Sequence, residues 1–124
     1  MTRQIHLGKL AIGGGAPLVV QSMCNTKTSD ASSTLAQIRR LAALGCQVIR
    51  VALPAVSALP GLERICAESP LPVVADIHFD ARLALDALSA GAHGIRINPG
   101  NILNINMVRT CAREAARLGR CVRI

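Results

Sequence analysis

Leu44-Gly45-Cys46-Gln47-Val48-Ile49-Arg50-Val51-Ala52-Leu53-Pro54 is the stretch that decides the fold. Aliphatic residues closed by a proline read as a strand, and the glycine just ahead of them ends a helix. The same order returns twice. Ala90-Gly91 leads to Ile95-Arg96-Ile97, and Leu118-Gly119 leads to Val122-Arg123-Ile124. A supersecondary unit that recurs in this way points to a (β/α) barrel or a doubly wound sheet.

Outward from these three sites the chain alternates strands and helices. Strands are expected at 17–23, 48–53, 73–78, 94–98 and 121–124. Helices are expected at 29–44, with Ser29, Asp30 or Ser32 as cap, then at 61–68, 80–90 and 105–118. Strands separated by helices pair in parallel. Residues 5–12 read as a small hairpin, a plug or lid at the bottom of the sheet, and Gly13-Gly14-Gly15 as a turn.

Alternation with period two assigns faces. In each arginine strand the aliphatic neighbours turn toward the helices and the Arg turns away. In the third strand Val73, Ala75 and Ile77 take the helix side, which leaves Val74, Asp76 and His78 with the arginines. Parallel strands covered by helices on both faces are nearly all apolar. Charges on one face of consecutive strands therefore favour a barrel whose inner face opens into a ligand site. Gln21, Arg50, Asp76, His78, Arg96, Asn98 and Arg123 fall in or near the C-terminal ends of the strands, where barrel enzymes work. Unpaired buried charge is costly. Asp76 can pair with one arginine, and the others await an anion with several charges, such as a diphosphate. The plainer alternative for any single inward arginine is a structural ion pair, and for His78 a satisfied core histidine.

Composition agrees with a folded, cytosolic chain that binds anions. The 124 residues carry 51% hydrophobic and 17% charged side chains, with mean hydropathy +0.40 and formal net charge +7. Disorder is excluded, and no apolar run reaches the ~18 residues of a membrane span. Twelve of the 14 cations are Arg, which suits bidentate phosphate contacts. Phe79 is the sole aromatic residue, so base stacking on a single-stranded nucleic acid loses weight. Arg109, Arg113, Arg117 and Arg120 read as a solvated helix face. The rival to an enzyme is a small basic module that binds polyanions or nucleic acid through that face without catalysis. Of Cys24, Cys46, Cys66, Cys111 and Cys121, four read as core hydrophobes in a reducing compartment, with Cys24 exposed in a polar loop.

Four segments together resemble the N-terminal region of the 4-hydroxy-3-methylbut-2-en-1-yl diphosphate synthase family. They are Gln21-Ser22-Met23-Cys24-Asn25-Thr26-Lys27-Thr28, Ile49-Arg50-Val51, Val74-Ala75-Asp76-Ile77-His78-Phe79-Asp80 and Arg96-Ile97-Asn98-Pro99-Gly100-Asn101. The resemblance spans nearly the whole chain and implies a TIM barrel followed by a smaller domain holding a [4Fe-4S] cluster. It also implies reductive ring opening and dehydration of 2-C-methyl-D-erythritol 2,4-cyclodiphosphate, with electrons from flavodoxin or ferredoxin. The diphosphate would lie against Arg50, His78, Arg96, Asn98 and Arg123, with Asp76 as their neighbour.

Two departures matter. Position 24 is Cys where the family commonly has Thr. The chain also stops at the fifth strand, and none of its cysteines matches the family's cluster ligands. Residues 1–124 are thus expected to be the N-terminal half of a barrel, an α/β chain without the C-terminal half or the iron–sulfur domain. Such a chain is expected to lack turnover, catalytic residues and metal ligands of its own. It is also expected to dimerise or dissolve poorly through its open edges.

Overall fold

The structure, a computed structural model, describes residues 5–7, 10–12, 21–24, 27–28, 30–77, 82–97 and 105–123. Strands β1 (Ile5–Leu7) and β2 (Leu10–Ile12) form the expected antiparallel hairpin, with Ile5 opposite Ile12. Five further strands follow, β3 (Gln21–Met23), β4 (Val48–Leu53), β5 (Val73–Ile77), β6 (Gly94–Ile97) and β7 (Cys121–Arg123). They are parallel and lie in the order β3-β4-β5-β6-β7, so neighbours in sequence are neighbours in space. This is the order of a (β/α) barrel wall, without the reversal of a Rossmann sheet. Among the described residues β3 and β7 are the sheet's two edges.

Helices α1 (Ala31–Ala43), α2 (Leu59–Glu68), α3 (Arg82–Ser89) and α4 (Ile105–Leu118) connect the strands. Asp30 is the cap of α1, its Oδ1 accepting from the Ser33 N–H at 3.2 Å. The second helix starts earlier than the sequence suggested. A 3-10 turn at Val56–Ala58 runs into it, and Pro60 sits in its first turn, where the missing N–H costs nothing.

The glycine that recurs before each arginine strand does the same job three times. Gly45, Gly91 and Gly119 have φ of 101°, 106° and 68°. The amides of Gly45, Gly91 and Gly119 donate to Ala42, Leu88 and Ala116. The next amides, of Cys46, Ala92 and Arg120, donate to Leu41, Ala87 and Ala115. This pair of bonds is the Schellman motif, which needs a left-handed residue at its turn. The repeat seen in sequence is therefore a helix cap that turns the chain back into the sheet.

The core lies between the sheet and the helices. Ile49, Val51, Leu53, Val73, Ala75, Ile77, Ile95 and Ile97 pack with Leu35, Ile38, Leu62, Ile65, Leu83, Ala87 and Cys111. The first eight are aliphatic strand positions on the face that alternation gives to the helices, and the other seven come from the helices. Val48 and Val74 are buried but lie on the other face. Residues 17–20 and 13–15, where the first strand was expected to begin and the glycine turn to lie, are outside the described residues.

Candidate functional site

Strand register sorts the inner-face residues into rungs. Arg50 pairs with Met23 on one side and Val74 on the other. One rung higher, Ala52 pairs with Asp76, Asp76 with Arg96, and Arg96 with Arg123. Two of the three arginines thus share the rung of Asp76, and Arg50 starts one rung lower on the opposite neighbouring strand.

Asp76 stands on the central strand and collects both flanking arginines, where the sequence had suggested one partner. Arg96 Nη1 donates to Asp76 Oδ1 at 3.0 Å, and Arg50 Nε lies 3.7 Å from Oδ2. The carboxylate side chain is 7% exposed, against 23% for Arg50 and 34% for Arg96. A buried carboxylate is tolerated when cations compensate it, and here two cations surround one anion. The trio keeps one positive charge in excess, with part of both guanidiniums open to solvent.

The two arginines are held unequally. Arg96 has a charge-assisted bond of good length. Arg50 Nη2 donates to the Met23 Sδ at 3.2 Å, a weak acceptor, and Arg50 Nε is buried without a hydrogen-bond partner. Met23 was quoted only as part of a motif in the sequence, yet alternation along β3 already puts it with Gln21 on the arginine face.

His78 and Asn98, the other expected contacts, lie outside the described residues, as does the side chain of Arg123. The backbone of Arg123 carries it on the rung of Asp76 and Arg96.

Cys24 and Thr28, beyond β3, are both bonded to β4. The Cys24 amide continues the ladder by donating to Arg50 O at 3.0 Å. The Thr28 hydroxyl donates to the Ala52 carbonyl, and the Thr34 hydroxyl donates to Lys27 O at 3.0 Å. Cys24 is consequently buried in the helix-side core, 6% exposed, and not the exposed loop cysteine expected. It obeys the strand's alternation one residue beyond the last assigned strand position.

Burial pushes the Cys24 thiol up to about 11 and the Cys66 thiol up to about 12. Burial also raises Cys111. These thiols pack in or against the core. Among the described residues no three His, Cys, Asp or Glu side chains come together as a metal site. Cys24, Cys46, Cys66 and Cys111 are not gathered into one set of ligands that could hold an iron–sulfur cluster.

Elsewhere, His93 Nδ1 accepts from the Val73 amide at 3.1 Å, and burial, with Arg120 nearby, lowers its pKa. Arg109, Arg113 and Arg117 are exposed on α4, and Arg117 pairs with Glu114. Arg120 lies past the end of α4, half-buried, and does not extend that face. Among the described residues, no helix is long and apolar enough to cross a membrane.

Comparison with known proteins places this arrangement. Residues 2–124 match the family described as the GcpE TIM-barrel domain. The chain is 52% identical over 123 residues to the 4-hydroxy-3-methylbut-2-en-1-yl diphosphate synthase (flavodoxin) of Aquifex aeolicus, covering 99% of this chain and 34% of that protein. It is 55% identical over 116 residues to the enzyme of the same name from Geobacter sulfurreducens, covering 91% of this chain and 33% of that protein. It thus spans about a third of the length of these curated relatives. Among solved structures, phospho-2-dehydro-3-deoxyheptonate aldolase from Thermotoga maritima aligns with TM-score 0.72 at 19% identity, over 97% of this chain and 36% of that one. Dihydropteroate synthase from Yersinia pestis aligns with TM-score 0.68 at 18% identity, over 96% and 44%. At such identity these two speak for the fold alone.

Proposed function

This chain belongs to the GcpE TIM-barrel family, and from that premise we propose that it forms the diphosphate-binding part of a 4-hydroxy-3-methylbut-2-en-1-yl diphosphate synthase. The observation that carries the proposal is the pair of partly open guanidiniums, Arg50 and Arg96, gathered on buried Asp76, with Asp76 and Arg96 each one residue from the C-terminal end of its strand. Barrel enzymes bind substrate at that end. Guanidinium forks recognise phosphate oxygens through paired charge-assisted bonds.

In this proposal Arg50, Arg96 and Arg123, with His78 and Asn98, hold the diphosphate of 2-C-methyl-D-erythritol 2,4-cyclodiphosphate. The residues of this chain orient the anion and neutralise charge. Reduction would use a [4Fe-4S] cluster whose ligands come from the remaining two-thirds of the relatives' length. Flavodoxin, which the names of the relatives carry, would supply the electrons, and the reaction would run in the cytoplasm. The 124-residue chain alone would bind but not turn over.

Titration calorimetry with inorganic pyrophosphate tests the binding claim. Saturable binding that Arg96→Ala abolishes is the expected result. A chain that ignores pyrophosphate, or whose anion binding falls away with salt and does not depend on Arg96, would point instead to a general polyanion surface.

A further inference from the structure

We propose that Asp76 is a positioning residue: it fixes the separation and orientation of Arg50 and Arg96 so that the two guanidiniums together grip one diphosphate in preference to a single phosphate. The inference rests on the diphosphate site proposed above and assigns Asp76 a role within it.

The geometry points to this role in three ways. Asp76 is on the middle strand, and an arginine reaches it from each neighbouring strand, one to each carboxylate oxygen. Two guanidiniums would otherwise repel each other in the free protein, and a shared carboxylate lets them stand close before any ligand arrives. Preorganised donors bind a ligand without paying the ordering cost at that moment.

Second, Asp76 is the least accessible of the three side chains. An anion approaching the open guanidinium edges meets donors before it meets the carboxylate.

Third, the donors are far from used up. A guanidinium has five N–H groups in a rigid fork. Arg96 commits one to Asp76, and Arg50 spends one on a thioether while its Nε has no hydrogen bond. Arg96 is therefore the fixed arm. Arg50, held by a soft acceptor and a longer ionic contact, is the arm that can swing onto a second phosphate.

Charge alone predicts the opposite consequence for Asp76. Removing a negative charge from an anion site should tighten anion binding. Losing a positioning residue should weaken it. Calorimetry of the 124-residue chain with pyrophosphate and with orthophosphate separates the two. For Asp76→Asn, nearly the same shape without the charge, pyrophosphate affinity is expected to fall at least tenfold, and its preference over orthophosphate to shrink toward parity. A general loosening would lower both affinities alike and leave the preference intact.

If Asp76→Asn fails to fold, Arg50→Lys and Arg96→Lys answer the same question with Asp76 in place. Each keeps its charge but loses the fork, and each is expected to show the same loss of preference. Variants that bind pyrophosphate as tightly as the unaltered chain, or tighter, or that keep its preference, would overturn the inference. That result would leave the diphosphate site standing. A chain that binds no pyrophosphate at all would overturn both.

Discussion

Replacing Gly45 with alanine isolates the backbone cost of the helix cap on which the repeat depends. Gly45 has φ 101°, and a methyl group added there meets nothing within 4 Å. Its removal therefore changes no packing, and the whole effect comes from forcing an L side chain into the left-handed region. That costs about 1–2 kcal/mol. With a urea m-value of roughly 2 kcal/mol per molar for a domain of this size, the midpoint should drop by about 0.5–1 M.

Gly91 supplies the control. It has nearly the same φ, 106°, but its added methyl would stand 3.4 Å from the Cys66 Cβ, an ordinary contact. Gly91→Ala should consequently cost about as much as Gly45→Ala, despite the different surroundings. Gly119, at φ 68°, lies nearer the left-handed minimum that Asn tolerates. Gly119→Asn should therefore be milder than Gly45→Asn. Urea unfolding followed by far-ultraviolet circular dichroism measures all of these. A midpoint for Gly45→Ala that stays put or rises would refute the backbone account of the repeat.

Three further outcomes follow from the structure. Because burial lowers the pKa of His93 below its usual 6.5, the unfolded chain takes up this proton first as pH falls. Stability from this group is thus full above about 6.5 and declines as pH falls toward the folded value; urea midpoints at stepped pH should show the decline, and His93→Gln should flatten it. Cys24 and Cys66, held protonated by burial at about 11 and about 12, should resist iodoacetamide at pH 8 in the native chain and react in urea, as mass spectrometry of the alkylated protein will show. With β3 and β7 as the sheet's edges among the described residues, the chain should self-associate as concentration rises, and pyrophosphate should raise its melting temperature by binding the folded form; light scattering of a monodisperse monomer with an anion-insensitive melt would contradict this.

The faces of the sheet were legible in the sequence, but its rungs were not. Alternation put Arg50, Asp76 and Arg96 on one side because a side chain two residues along always returns to the same face. It could not say that Arg50 starts opposite Val74, since stagger between parallel strands belongs to the curvature of the wall and leaves no local mark. The same limit hid the second arginine on Asp76, because contact across two strands depends on that stagger. The helix Ile105–Leu118 was readable to its ends, with the stop at Gly119. The start of α2 was obscured because Pro60 looks like a breaker, although at the first turn it is a starter. Cys24 misled for a related reason. Its polar neighbours suggested a loop, while its amide still follows the strand's hydrogen-bond ladder.

The in-sequence order of β3 to β7 also bears on how this chain reaches its fold. Every pairing joins strands separated by a single helical crossover, and none needs a segment made much later to slip in between earlier ones. The search for partners is therefore short at each step, even though parallel pairing as a class is slow. As the chain leaves the ribosome, each completed helix and its glycine cap can deliver the next strand to an edge that is already waiting. Growth of this kind has no built-in stopping point. Among the described residues β7 is the edge laid down last, by the same step that placed β4 on β3.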